Sequence, residues 1–173
     1  MKVDCEMKAS ALVVDDEPAI LLTIKAVLEM SNFVVETAAS AFEAKQKLNS
    51  EVFDIVITDM KMETGTAGLE VVRAASGAPG EPAIAILTAD RDFEPDWKRQ
   101  GADDLLIKPM NADQFLARVA ELLIQRDHNE LSHMGWTNRS HARQLKPPSV
   151  LSRSGIVDLH SVAGRRLLYQ SRN

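Results

Sequence analysis

Polar side chains that could share one reaction follow directly after four short apolar runs. In chain order they are the acidic pair Asp15–Asp16, the acid Asp59, the hydroxyl residue Thr88 and the cation Lys108. Short continuous apolar runs are typical of strands that are buried on both faces of a parallel sheet. Ligands of such sheets bind beyond the carboxyl ends of the strands. We therefore expect these side chains to converge at one edge of a sheet.

The expected cluster combines three carboxylates with one ammonium group and one hydroxyl. Close carboxylates repel one another and couple their titrations, and a hard divalent cation relieves that repulsion. Mg²⁺ takes oxygen ligands and commonly binds one or two carboxylates together with phosphate oxygens. Such a site suits phosphoryl transfer, which depends mostly on positioning and charge neutralisation. The lone acid Asp59 fits an acceptor in line with a donor better than the paired acids at 15 and 16.

Alternating strand and helix patterns must position these residues. The apolar runs are residues 11–14, 33–35, 55–58, 83–87 and 105–107. Helical spacing predicts helices at 18–30, 41–49, 68–76 and 111–126, with a short helix at 95–100 opened by Pro95. Five such units predict a doubly wound α/β domain. The first and last helices are expected to cover one face of the sheet and the other three the opposite face.

The net charge of −5 conceals an acidic body and a basic tail. Residues 1–126 carry 13 Lys/Arg and 22 Asp/Glu, whereas residues 127–173 carry 7 and 3. We expect this tail to be largely disordered, with a weak amphipathic helical pattern at 156–169 that is too short to form its own core. It is an extension, a truncated output domain or a segment that folds on a partner.

Composition also bears on the class of protein and its compartment. The single Cys5 excludes an intramolecular disulfide framework. No apolar run reaches transmembrane length, and the N-terminal residues lack the apolar segment of a secretory signal. We therefore expect a soluble, cytoplasmic protein without a membrane partner.

The ordered motifs resemble the receiver domain of two-component response regulators. They are Val13-Val14-Asp15-Asp16-Glu17, Asp59-Met60-Lys61-Met62, Leu87-Thr88-Ala89, Gly101-Ala102-Asp103-Asp104 and Ile107-Lys108-Pro109. The resemblance covers residues 8–126 and leaves the tail, residues 127–173, unexplained. It implies a flavodoxin-like sheet of five parallel strands in the order 2-1-3-4-5, and a signalling protein rather than an enzyme.

The resemblance also implies a reaction and a metal site. Asp59 would accept a phosphoryl group from a phosphohistidine of a sensor histidine kinase or a histidine phosphotransfer protein. Asp15, Asp16 and Asp59 would bind Mg²⁺ together with the backbone carbonyl of Lys61. Phosphorylation would switch a protein-interaction surface, and the domain would be a monomer or a phosphorylation-dependent dimer.

Further roles are implied for residues around the acceptor. Thr88 would move towards the aspartyl phosphate, Lys108 would pair with it, and the Lys108–Pro109 peptide bond would be cis. The side chains of Lys61 and Asp90 occupy positions that tune the dephosphorylation rate in this family.

Three departures from the family pattern keep other functions open. Leu105 stands where most relatives have Tyr or Phe, the loop at 63–67 is about one residue longer than usual, and the stretch between Thr88 and Lys108 is shorter. A downstream target is expected on the face formed by residues 95–126, where Trp97 is a candidate anchor. The alternatives are a receiver-like adaptor that acts without phosphorylation, and a transcription regulator that binds DNA through its basic tail.

Overall fold

The computed structural model describes residues 8–62, 64–90 and 97–133. Its strands are β1 (Ser10–Val14), β2 (Val34–Ala38), β3 (Ile55–Asp59), β4 (Ala83–Thr88) and β5 (Asp104–Ile107). Its helices are α1 (Pro18–Met30), α2 (Ala41–Ser50), α3 (Ala67–Ser76) and α4 (Ala112–His133). The strands form one parallel sheet in the order β2-β1-β3-β4-β5. This order confirms the expected flavodoxin-like, doubly wound fold.

The sheet separates two hydrophobic cores, which explains why the strands read as continuous apolar runs. In β1, Leu12 contributes to a core with α2 and α3, whereas its neighbour Val13 contributes to a core with α1 and α4. Successive strand residues point to opposite faces, so a strand that is covered on both sides needs apolar residues at consecutive positions. The distribution of helices over the two faces is as expected for the first, second, third and last helix.

Residues suited to helix starts stand at the beginnings of three helices. Pro18 is the first residue of α1, where its missing N–H leaves no hydrogen bond unmade. Ser40 caps α2 by accepting a hydrogen bond from the Glu43 amide at 3.1 Å. Asn111 caps α4 by accepting one from the Gln114 amide at 2.8 Å. The two caps satisfy backbone N–H groups that would otherwise lack a partner at the starts of α2 and α4.

The structure differs from the expectation at two helices. The predicted helix at 95–100 lies partly outside the described residues, and its described part, 97–101, is a hydrogen-bonded turn that ends at Gly101 with φ +100°. The last helix was predicted to end at residue 126, but α4 continues to His133. No Gly or Pro lies between 112 and 133, so the chain carries no stop signal there. The pattern at 156–169 and Cys5 lie outside the described residues.

No helix in the described part of the chain is long and apolar enough to cross a membrane.

Candidate functional site

The carboxyl ends of four strands bring the expected side chains to one edge of the sheet. Asp15 directly follows β1, Asp59 and Thr88 are the last residues of β3 and β4, and Lys108 directly follows β5. Parallel pairing aligns the ends of these strands, because Asp59 lies opposite Leu87 and Thr88 lies opposite Ile107. The convergence that was predicted from the apolar runs is therefore present for these four residues.

The Lys108 ammonium bridges two carboxylates at the centre of this edge. Its Nζ lies 2.7 Å from Oδ1 of Asp59 and 3.1 Å from Oδ2 of Asp15. Asp15 is 1% exposed and Asp59 is 8% exposed, so both acids are nearly removed from water. A shared cation compensates the electrostatic cost of placing two carboxylates close together in a partly buried site.

The surroundings of Lys108 favour its charged form. Burial alone would lower the pKa of Lys108, but hydrogen bonds from its ammonium to Asp59 and Asp15, and the charges of these carboxylates, raise that pKa above the ordinary value of 10.5. Lys108 is therefore a fixed positive charge at neutral pH. A fixed cation beside Asp59 can stabilise the negative charge that builds up on a phosphoryl group during its transfer.

One backbone amide and one side-chain ammonium hold the Asp59 carboxylate. Its Oδ2 accepts a hydrogen bond from the Lys61 amide at 2.7 Å, while Oδ1 faces Lys108. The next residue, Met60, donates its amide to the Leu87 carbonyl at 2.9 Å and so extends the pairing of β3 with β4. The carboxylate thus has a defined orientation at the mouth of the site.

Thr88 connects the ends of β4 and β5. Its side chain is buried, and its Oγ1 accepts a hydrogen bond from the Asp90 amide at 3.1 Å. Its carbonyl accepts a hydrogen bond from the Lys108 amide at 2.7 Å, immediately before the Lys108–Pro109 cis peptide bond, which confirms the expected cis geometry. A threonine hydroxyl can donate a hydrogen bond as well as accept one.

An ion pair lies at the rim of the site. Lys61 Nζ is 3.4 Å from Asp90 Oδ2, and their side chains are 65% and 40% exposed. The two residues follow Asp59 and Thr88 by two positions each, so the pair spans the β3 and β4 loops above the acceptor. Exposed pairs of this kind contribute little to stability.

Comparison with known proteins identifies the family. A model of the response regulator receiver domain matches residues 11–120, which is more than half of the chain. The chain belongs to this receiver family. Among curated relatives, the alginate biosynthesis regulator AlgB of Pseudomonas aeruginosa is 34% identical over 125 residues, covering 71% of this chain and 28% of that protein. The response regulator MprA of Mycobacterium tuberculosis is 34% identical over 120 residues, covering 68% and 51%. The chain thus spans only about a quarter to a half of these relatives.

Solved receivers share the fold over nearly their full length. A CheY-like receiver from Methanospirillum hungatei is 28% identical, with a TM-score of 0.66, and the match covers 71% of this chain and 99% of that one. TrrA of Thermotoga maritima, solved with Mg²⁺ and BeF, is 34% identical with a TM-score of 0.60, covering 67% and 99%. Residues 11–120 of this protein therefore form a receiver domain of the two-component type.

The structure brings only some of the expected metal-binding residues together. Asp15 and Asp59 share Lys108, whereas Asp16 is exposed. Among the described residues, no three Asp, Glu, His or Cys side chains form a cluster that could hold a metal ion. Two oxygen-donor carboxylates nevertheless suit Mg²⁺, which usually keeps several water ligands. The donor chemistry fits the ion, and the ligand roles of Asp15, Asp16, Asp59 and the Lys61 carbonyl remain predictions.

Two residues near β5 pack into the receiver's interior. Trp97 and Leu105 are partly buried against the core that α2 and α3 form with the sheet. The Lys98 ammonium lies 5.1 Å from the centre of the Trp97 ring. Trp97 thus acts as a packing residue, and its expected role as a partner anchor stays a prediction.

Sequence reasoning did not identify Gly68 as part of the receiver's site. Gly68 is the second residue of α3, and it lies against the backbone of Asp59 and Met60. A glycine early in a predicted helix was the signal that could have indicated it, because glycine is unfavourable there unless space demands it.

Proposed function

We propose that Asp59 is the phosphoacceptor of this receiver and that its donor is a phosphohistidine of a sensor kinase or histidine phosphotransfer protein. The observation that carries the proposal is the position of the Asp59 carboxylate. It lies at a strand end, 2.7 Å from the Lys108 ammonium and 2.7 Å from the Lys61 amide. These two donors orient the carboxylate. It lies at the carboxyl edge of the strands, where open α/β sheets bind their ligands.

In the proposed reaction, a carboxylate oxygen of Asp59 forms a bond to phosphorus and the P–N bond to the donor histidine breaks. The electron pair of that bond returns to the imidazole, which then takes up a proton from solvent. Lys108 moves from its carboxylate contacts to a phosphoryl oxygen, and the Thr88 hydroxyl donates a hydrogen bond to another. Little covalent chemistry is needed from the protein, so positioning and charge supply the acceleration.

Magnesium would be held by Asp15 and Asp59, with Asp16 and the Lys61 carbonyl as further oxygen donors. When bound, the ion neutralises charge on the phosphoryl oxygens and on the carboxylates. TrrA, at 34% identity, was solved with Mg²⁺ and BeF, which supports the same ion here. Lys108 alone compensates two acids, so a second cation in the loaded site is electrostatically reasonable.

The test is phosphorylation in vitro. With Mg²⁺ and acetyl phosphate, the full chain should acquire one hydroxylamine-labile phosphate, and Asp59→Asn should acquire none while remaining folded. Intact-protein mass spectrometry and circular dichroism measure these two properties. Natively folded wild-type protein that stays unlabelled with acetyl phosphate and with a panel of kinases would refute the proposal. Equal labelling of Asp59→Asn would show that another residue accepts the phosphoryl group.

We also propose a transcriptional output as the second candidate. The observation that favours it is that AlgB, at 34% identity, is named as a transcriptional regulator. The basic excess of the tail would supply phosphate contacts to DNA, with affinity that falls steeply with salt. The test is a mobility shift at several salt concentrations, with and without residues 134–173. A shift that survives the truncation, or no shift at all, rejects DNA binding by the tail.

Protein output would use the face that contains β5 and α4. A polar groove of about 230 Å³ lies there, and it is lined in part by Trp97, Asp104 and Arg118. Arg118 donates to Asp104 at 2.6 Å, so these two charges of the groove are paired with each other. A partner that binds here must match this pattern of charges. A cytoplasmic location remains a prediction from the composition.

A further inference from the structure

Helix α3 begins in direct contact with the backbone of the acceptor. A methyl group placed on Gly68 would lie 2.4 Å from the Asp59 carbonyl oxygen, 2.8 Å from Met60 Cα and 3.0 Å from the Met60 carbonyl oxygen. All three atoms belong to the backbone, so no side-chain rotation can relieve the overlap. The Gly68 amide also points to the Met60 carbonyl at 3.4 Å.

Space, and not backbone conformation, accounts for this glycine. Gly80 and Gly101 are the described glycines with positive φ, and Gly68 is not among them. Alanine has a higher helix propensity than glycine, so helix formation alone would select alanine. The glycines that flank α3, Gly65 before it and Gly77 directly after it, have open space where Gly68 is crowded. Gly65 has no atom within 4 Å of such a methyl group, and for Gly77 the nearest is 4.0 Å away.

The contact can reach the reacting carboxylate because the Asp59–Met60 backbone is enclosed. Met60 is tied to Leu87 of β4 on one side, and Gly68 lies on the other. To restore a separation of 3.0 Å, the backbone or α3 would have to move by about 0.6 Å. A shift of that size changes the position of Asp59 relative to Lys108, which it contacts at 2.7 Å.

We propose that Gly68 is a positioning residue for phosphoryl transfer, because it lets α3 support the Asp59–Met60 backbone at the spacing that the acceptor requires. The inference rests on the proposed role of Asp59. A misplacement of about 1 Å at a reacting centre can reduce a rate by about a hundredfold. We expect Gly68→Ala to lower the phosphorylation rate constant by about tenfold or more.

The experiment compares four variants of the full chain with acetyl phosphate and Mg²⁺. Gly65→Ala and Gly77→Ala are controls for the substitution itself. Val71→Ala, a fully buried residue of the same helix, controls for lost stability because it leaves a cavity without pressing on Asp59. We expect the three controls to stay within twofold of the wild-type rate at a temperature where every variant is folded. The Lys61 amide resonance should shift in Gly68→Ala and stay in place in Val71→Ala, since this amide donates to Asp59.

The outcomes separate the two proposals. An unlabelled wild-type chain refutes the role of Asp59. A labelled wild type with Gly68→Ala within twofold of its rate overturns the positioning role, as does an equal loss in Val71→Ala. If Gly68→Ala does not fold in buffer, the comparison is made in trimethylamine N-oxide, which favours compact states. A variant that stays unfolded there also overturns the proposal, because a general requirement for folding then explains the glycine.

Discussion

Replacing Lys108 by methionine removes the ammonium that contacts Asp15 and Asp59 while keeping most of the aliphatic side chain. The two carboxylate oxygens that it bridges lie 3.1 and 2.7 Å from its nitrogen. Both acids would remain almost buried after the change, with less compensation for their charge. We therefore expect Lys108→Met to destabilise the receiver as well as to disable it.

The expected loss in unfolding free energy is about 2 kcal/mol. Removing one partner of a fully buried ion pair costs about 3–5 kcal/mol. The Lys108 side chain is 24% exposed, so water screens part of this interaction. Each acid also keeps a backbone donor, because Asp15 accepts from the Glu17 amide and Asp59 from the Lys61 amide. A loss of this size in a domain of ordinary length lowers the Tm by roughly 5–10 °C.

The pH dependence follows from the raised pKa of Lys108. Burial opposes the charged form, but the contacts with Asp59 and Asp15 outweigh it. A raised pKa contributes stability that is fully present below the ordinary value of 10.5 and is lost as pH rises through the folded value. The stability difference between wild type and Lys108→Met should therefore be constant from neutral pH to about 10 and shrink above it.

Urea unfolding of the single and double variants tests this reasoning. In the Asp59→Asn background, loss of Lys108 should cost about 1 kcal/mol less, because one of the two uncompensated charges is absent. Lys25→Met is the control, since Lys25 forms an exposed pair with Glu29 at 3.7 Å and should change stability by less than about 0.5 kcal/mol. A Lys108→Met variant within 0.5 kcal/mol of wild type, or a coupling near zero, would refute the electrostatic account of the site.

Two further substitutions test the rim and the far end of the receiver. Lys61→Ala breaks the ion pair with Asp90, so it should shorten the lifetime of the phosphate on Asp59. It should change the free energy of unfolding by less than about 0.5 kcal/mol. Labelled phosphate that decays at the wild-type rate would contradict this prediction. Arg126→Met removes donors to the Asp54 carboxylate and carbonyl, both at 3.2 Å, and to the Gly80 carbonyl at 2.5 Å. It should cost about 2 kcal/mol in urea unfolding, and a loss no larger than that of Lys25→Met would contradict the importance of these contacts.

Most of the fold could be predicted because the strands are buried on both faces. Residues 55–58 and 83–87 read as uninterrupted apolar runs, and the strands of the structure differ from them by a residue at one end. The end of α4 could not be predicted in the same way. Apolar periodicity weakens after residue 126, yet the helix continues, and Arg126 binds Asp54 and Gly80 at the opposite edge of the sheet. The contact with Gly80 spans 46 positions in the chain and the contact with Asp54 spans 72. Contacts over such separations leave no local pattern in the sequence.

In the site, too, the local sequence predicts some features, whereas others depend on packing between distant residues. Parallel topology places every strand end at one edge, so the residue types at Asp59, Thr88 and Lys108 were enough to predict their convergence. A glycine early in a predicted helix could have drawn attention to position 68, but the atoms that crowd Gly68 depend on how closely α3 packs on the backbone after β3. Packing of this kind is decided by the whole core and not by the residues near the acceptor.

The neighbouring acids Asp15 and Asp16 show why spacing alone cannot assign ligands. In the sequence they form a pair, and repulsion among three carboxylates was the reason to expect a metal ion. In the structure, Asp15 is buried on Lys108, whereas Asp16 is exposed. Consecutive residues at the end of a strand point in different directions, so adjacency in the chain separates these carboxylates rather than joining them. The repulsion that Lys108 must offset is therefore mainly that between Asp15 and Asp59, and a metal ion that recruits Asp16 has to draw this side chain in from the solvent.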